Sequence, residues 1–133
     1  MRKFFCLILF LCLSLFISGC ASSSVKNTSL TTSKIQTVSM EDAMIAWQNK
    51  EVLFVDVRTN NEIQEGHIPR AILIPLSELE KRSNEIPKDK RVYLICRSGS
   101  RSAQANLLLQ QLGFTQTYSV DSGMNKWNLA IEK

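Results

Sequence analysis

The chain has 133 residues, 44% of them hydrophobic, and a formal charge of +4 at neutral pH. This length allows one domain with a modest core. The basic residues are scattered, except near Lys88–Arg91 and residues 97–101, so the sequence lacks the clustered basic face of a nucleic-acid-binding protein. The four cysteines form no Cys-X-X-Cys pair and no Cys/His cluster, which argues against a zinc site or any other bound metal.

Residues 1–19 have the pattern of a secretory signal peptide. A basic start is followed by an apolar run over residues 4–17, which is too short to span a bilayer comfortably. The run ends in Ile17-Ser18-Gly19-Cys20, which resembles the signal of bacterial lipoproteins. The resemblance implies that Cys20 receives a diacylglycerol and becomes the first residue after cleavage. We then expect an exported protein, anchored by lipid to a bacterial cell membrane on its extracytoplasmic side. The alternatives are an ordinary secreted protein and an uncleaved anchor.

Residues 20–36 form a Ser/Thr-rich segment that starts at the lipidated cysteine, and its composition predicts a flexible tether. The remaining residues, 37–133, read as one domain. If the signal is removed and Cys20 carries lipid, Cys96 is the one free thiol of the mature chain. No disulfide framework can then form.

Short apolar runs alternate with helical patterns along this domain. Strands are predicted at 37–38, 52–55, 71–74, 92–95 and 115–120, and the most regular helix at 102–112. Helix caps are predicted at Ser39 with Asp42, Thr59 with Glu62, and Ser77 with Glu80. This alternation indicates an α/β fold with a parallel sheet that helices cover on both faces. In such sheets ligands bind at the carboxyl ends of the strands, where Asp56 and Cys96 lie.

The segment Cys96-Arg97-Ser98-Gly99-Ser100-Arg101 is the candidate functional site. It joins a predicted strand to a predicted helix, so unpaired N–H groups of the first helical turn would lie near the thiol. Arg97 and Arg101 add positive charge, and Gly99 permits a tight turn. These features favour a thiolate and an arriving anion. The alternative is an inert core cysteine beside solvated arginines.

This loop resembles the active-site loop of the rhodanese, or sulfurtransferase, family. Two further stretches agree in order and spacing: Asp56-Val57-Arg58 with Glu62 and Gly66-His67-Ile68-Pro69-Arg70-Ala71, and Ser122-Gly123-Met124-Asn125-Lys126-Trp127. The family commonly has a glycine where this chain has Ser122. The resemblance implies a single three-layer domain with a mostly parallel central sheet.

The resemblance also implies a chemistry. Cys96 takes a sulfane sulfur from an anionic, thiosulfate-like donor as a persulfide and passes it to a thiol or cyanide. The donor is a small molecule or a protein, no metal or organic cofactor is required, and we expect a monomer. Residues 97–101 would hold the anionic sulfur. A lone thiol without a resolving partner suits this role better than a dithiol redox cycle.

Other residues have weaker functional claims. Asp56 and Arg58 could support the loop electrostatically, although a structural ion pair is the favoured interpretation. His67 is interpreted as structural, and Met124 and Trp127 as packing residues.

Two rival functions remain. Phosphatases and arsenate reductases on this fold have five residues between Cys and Arg, where this chain has four. A non-catalytic binding module is the other rival.

Overall fold

The structure is a computed structural model that describes residues 33–133. The predicted signal peptide, Cys20 and most of the predicted tether lie outside these residues. Within residues 33–133, no helix has both the length and the apolar character needed to cross a lipid bilayer.

Within residues 33–133, five strands and four helices build the domain. The strands are β1 (Thr37–Val38), β2 (Leu53–Asp56), β3 (Ile72–Leu73), β4 (Val92–Ile95) and β5 (Thr117–Val120). The helices are α1 (Met40–Gln48), α2 (Asn60–Gln64), α3 (Leu79–Arg82) and α4 (Ser100–Gln111). Short 3-10 turns cover Leu76–Glu78, Ser83–Glu85 and Gly123–Lys126.

The sheet has the order β1-β5-β4-β2-β3, and all its strand pairs are parallel. Strand β4 therefore lies between β5 and β2, and Asp56 at the end of β2 pairs with Ile95 at the end of β4. The segments that follow β2 and β4 thus emerge side by side at one edge of the sheet. This adjacency positions the site.

Alternate residues of the central strands enter two apolar layers. On one face Val55 and Leu94 pack in a core that includes Leu109 of α4. On the other face Phe54 and Tyr93 pack in a core that includes residues of α1. Burial on both faces explains why the central strands read as continuous apolar runs. The predicted three-layer α/β fold is confirmed.

Two of the three predicted helix caps are present. Ser39 accepts a hydrogen bond from the Asp42 N–H, and Thr59 forms a reciprocal capping box with Glu62. The predicted cap at Ser77 is wrong. Ser77 lies inside a 3-10 turn closed by the Glu78 N–H on the Pro75 carbonyl at 2.8 Å, so it cannot adopt the extended conformation of an N-cap.

The ordered contacts of the domain begin before residue 37. The Gln36 N–H donates to Asn106 Oδ1 at 2.9 Å, and Gln110 Nε2 donates to the Lys34 carbonyl at 3.1 Å. The last residues of the predicted tether therefore lie against α4. Helix α4 itself begins at Ser100, two residues before its predicted start.

Candidate active site

Cys96 lies directly after β4 and is 1% exposed. The backbone N–H of Gly99 donates to its Sγ at 3.1 Å, and Ser102 Oγ lies 3.7 Å from the sulfur. Burial raises the pKa of this thiol, but hydrogen bonds from the Ser102 backbone and hydroxyl and from the Ser98 and Gly99 backbone outweigh it. The pKa of Cys96 is therefore lowered from its usual range. These donors, more than the neighbouring arginines, stabilise the thiolate.

Gly99 gives the loop its shape. Its φ is +100°, and a Cβ at this position would collide with the carbonyl oxygen of Asp121. A residue with a side chain would therefore meet both backbone strain and a steric clash. This turn directs the Gly99 N–H at the sulfur.

The turn Gly123–Lys126 braces the loop from the C-terminal side. The Met124 N–H donates to the Cys96 carbonyl at 2.7 Å, and the Asn125 N–H donates to the Arg97 carbonyl at 3.0 Å. Gly123 has φ +58°, and a Cβ there would collide with the Cys96 carbonyl. Ser122 has φ −103°, which any residue adopts, so the absence of a glycine there leaves this turn intact.

Arg101 faces Glu62, a carboxylate that the sequence places in a helix cap and in the first stretch that resembles the rhodanese family, without linking it to Arg101. Its Nη1 and Nη2 donate to the two Glu62 carboxylate oxygens, each at 2.7 Å. The hydrogen bonds from Arg101 hold the pKa of Glu62 far below its usual range. The sequence predicts that Arg101 adds positive charge near Cys96, and in the structure the Glu62 carboxylate pairs with that charge. Only the adjacency of β2 and β4 could have revealed this pairing.

The other predicted loop residues lie at the surface. Ser98 and Ser100 are exposed, and so is Arg97. Arg97 also lines a small cavity of about 230 Å³ beside the loop, which we call the side cavity. Its remaining lining residues are Arg58, Glu62, Glu65, Gly66, Met124 and Asn125.

Asp56 and Arg58 form a buried ion pair at the end of β2. Arg58 Nη2 donates to Asp56 Oδ2 at 2.7 Å and to the Gly66 carbonyl at 2.7 Å. Its Nη1 donates to the Glu62 carbonyl at 3.2 Å. The pair therefore ties the end of the strand to α2, and this is the geometry of a structural ion pair.

The remaining candidates lie in other contacts. His67 pairs through its backbone with Glu132, with both N···O distances at 2.9 Å. Trp127 packs edge-to-face against Trp47 and Phe54, with ring centroids 5.5 and 5.7 Å apart. None of these contacts involves the cysteine loop. Within residues 33–133, no three His, Cys, Asp or Glu side chains come together as a metal site.

A scan against protein families matches residues 40–130 to the Rhodanese-like domain family. The chain belongs to this family. Among curated proteins it is 42% identical over 78 residues to a protein named "Sulfurtransferase" from Allochromatium vinosum, covering 59% of this chain and 73% of that protein. It is also 42% identical over 83 residues to "Uncharacterized protein YqhL" from Bacillus subtilis, covering 62% of this chain. The rhodanese-like chain spans only 66% of YqhL.

Solved structures show the same fold. The rhodanese-like domain protein from Staphylococcus aureus superposes with a TM-score of 0.69 at 30% identity. The match covers 74% of this chain and 97% of that one.

Proposed function

We propose that this rhodanese-like chain is a sulfurtransferase that carries sulfur as a persulfide on Cys96. The observation that carries the proposal is the buried thiol with the Gly99 N–H at 3.1 Å from its Sγ and with a lowered pKa. A thiolate is the nucleophile that sulfur transfer requires. The relative named sulfurtransferase supports the same activity.

The reaction has two displacements. The Cys96 thiolate attacks the outer sulfur of thiosulfate, the donor S–S bond breaks, and sulfite leaves with its electron pair. A thiolate or cyanide then attacks the outer sulfur of the Cys96 persulfide and regenerates the Cys96 thiolate. The loop N–H groups stabilise the negative sulfur at each stage.

The Glu62–Arg101 pair argues against a phosphatase. A phosphatase loop needs donors placed near the equatorial oxygens of the phosphoryl group. Here Arg101 gives both of its terminal nitrogens to Glu62, each at 2.7 Å, and only four residues separate it from Cys96. A silent binding module would not require the lowered pKa of Cys96.

The test is the mass of the Cys96 peptide after exposure of the full chain to thiosulfate. Trypsin releases Val92–Arg97, in which Cys96 is the one cysteine. We expect the mass of one added sulfur, its loss on addition of cyanide or a thiol, and neither change in Cys96→Ser. Hydrolysis of an aryl phosphate without persulfide formation would assign the protein to the phosphatases instead. A folded protein with neither activity would be a binding module.

We also propose that the domain works at the outer side of a bacterial membrane, held by a lipid on Cys20. The support is the basic and apolar start of the chain followed by Ile17-Ser18-Gly19-Cys20. Its donor and acceptor would then be extracytoplasmic.

A further inference from the structure

The Glu62–Arg101 pair joins two segments that follow neighbouring strands. Glu62 comes from α2 after β2, and Arg101 comes from the first turn of α4 after β4. The side chains are only 18% and 29% exposed, and both contacts are 2.7 Å. A capping role alone would not place the Glu62 carboxylate on an arginine of the cysteine loop.

Arg101 is within electrostatic reach of the reacting sulfur. Its pKa is raised first by the hydrogen bond to Glu62, and the negative charges of Glu62 and Cys96 raise it further. A charge that neutralises Arg101 therefore also changes the potential at the sulfur. Glu62 supplies that charge.

The charged side chains that line the side cavity are also balanced between positive and negative. Arg58 is matched by Asp56. Arg97 and Glu65 are exposed side chains of opposite charge, and neither makes an ion pair within residues 33–133. The surroundings of the loop are close to electroneutral, whereas two uncompensated arginines would attract a dianion.

We propose that Glu62 is a positioning residue that determines donor specificity: by holding and neutralising Arg101, it disfavours dianionic donors such as thiosulfate relative to sulfur donors of lower charge. The inference rests on the proposed sulfurtransferase function. It adds the class of donor and names the residue that selects it. By pairing with Arg101, Glu62 weakens the attraction between Arg101 and an anionic donor. Weakening the binding of one ligand relative to another is a general route to specificity.

The first test reads the charge at Cys96 without any sulfur transfer. Iodoacetate and iodoacetamide alkylate a thiolate by the same displacement of iodide, and they differ in one negative charge. The ratio of their rate constants on the full chain, measured on the Val92–Arg97 peptide, reports the local potential. Glu62→Gln should raise the ratio of iodoacetate to iodoacetamide by roughly three- to ten-fold, because one nearby negative charge is removed. Glutamine still serves a capping box.

The decisive comparison uses two further variants, one that should change the alkylation ratio in the opposite direction and one that should restore it. Arg101→Gln should lower the same ratio, because Glu62 is then unpaired. The double variant Glu62→Gln/Arg101→Gln should return to within about two-fold of the unmodified chain, because the pair is neutral in both. A purely structural role for Glu62 would change both reagents alike and leave the ratio constant, which would overturn the inference.

The second test uses sulfur donors of different charge. Thiosulfate is a dianion, and an alkanethiosulfonate offers the same outer sulfur as a monoanion and releases a sulfinate. Glu62→Gln should raise kcat/KM for thiosulfate relative to the alkanethiosulfonate, chiefly through KM, and Arg101→Gln should lower it. Added salt should shrink both effects.

Glu65→Gln is the matched control. It removes the same charge just beyond the same helix, from an exposed side chain without an ion pair, so it should shift both ratios less than Glu62→Gln. An equal shift would assign the selectivity to general surface charge and overturn the role of Glu62. If the alkylation ratios shift but no donor loads Cys96, the proposed function fails and charge control by Glu62 stands. If Cys96 loads and no ratio shifts, the inference fails and the function stands.

Discussion

Replacement of Ser102 by alanine tests how the fold makes Cys96 a thiolate. The Ser102 hydroxyl is buried, lies 3.7 Å from Sγ, and also contacts Ser119 Oγ at 2.8 Å and the Gly99 carbonyl at 2.9 Å. A hydrogen bond to a charged group contributes about 1.5–3 kcal/mol. The long distance to sulfur favours the low end of that range. Since about 1.4 kcal/mol corresponds to a ten-fold change in an equilibrium constant, Ser102→Ala should raise the pKa of Cys96 and leave about ten-fold less thiolate.

The assay is the rate of iodoacetamide alkylation against pH. Below both titration midpoints, the variant holds about ten-fold less thiolate. A more basic thiolate is also more nucleophilic, with a Brønsted coefficient of about 0.4–0.5. The observed rate should therefore fall about three-fold. Ser100→Ala is the control, because Ser100 is exposed and no hydrogen bond joins it to the sulfur.

Stability must be measured on the same variants. Loss of the Ser102 hydroxyl leaves the buried Ser119 hydroxyl without its partner, whereas the Gly99 carbonyl keeps the Ala103 N–H at 3.1 Å. The unsatisfied Ser119 hydroxyl should cost about 1–3 kcal/mol of unfolding free energy in urea. A folded Ser102→Ala protein with an unchanged midpoint would refute the argument. So would an equal upward shift in Ser100→Ala, because hydrogen bonding by Ser102 could not explain it.

Three further predictions concern the loop, the ion pair and the chain start. Gly99→Ala should cost at least about 3 kcal/mol in urea unfolding, because left-handed strain adds to a clash with Asp121, whereas Gly113→Ala, with φ +85° and more space, should cost about 1–2 kcal/mol. Glu62 has a lowered pKa, so its stabilisation of about 1 kcal/mol is present above pH ~4.3 and is lost as pH falls through the folded-state value. Glu62→Gln should therefore be less stable at neutral pH and lose less stability as the pH falls. An equal loss of stability in acid for the variant and the unmodified chain would refute this. A clickable fatty acid should label the full chain in bacterial cells but not Cys20→Ser, and label on both or on neither would reject the lipid anchor.

Most of the fold could be predicted from local patterns. The run 92–95 is bounded by a charged cluster and by Cys96, so its limits coincide with β4. Ser39 and Thr59 act within three residues, and their caps form as predicted. The predicted cap at Ser77 is wrong because the chain after Pro75 closes a 3-10 turn and buries Leu79 completely. The spacing from serine to glutamate in the sequence does not reveal this tertiary packing.

The charge state of the site could not be predicted in the same way. Cys96 and its donors lie within six residues of one another, so the sequence indicated a hydrogen-bonded thiolate. Glu62 and Arg101 are 39 residues apart, and their contact depends on the strand order that sets β2 beside β4. The local pattern assigned Glu62 to the Thr59 cap, and in the structure one carboxylate serves both partners.

Because the Glu62 carboxylate serves both the Thr59 cap and Arg101, it compensates the charge of Arg101. An arginine in a cysteine loop suggests attraction of anions when only the loop is considered. Once β2 brings Glu62 to the same edge of the sheet, the arginine is matched, and the stabilisation of a negative sulfur falls to uncharged backbone N–H groups and the Ser102 hydroxyl. These dipoles act at hydrogen-bond range and do little to draw a dianion from solution. The hydrogen bonding that stabilises the thiolate and the proposed charge selection of the donor thus have different origins. Ser102→Ala should weaken the first and leave the iodoacetate-to-iodoacetamide ratio unchanged, whereas Glu62→Gln should change that ratio.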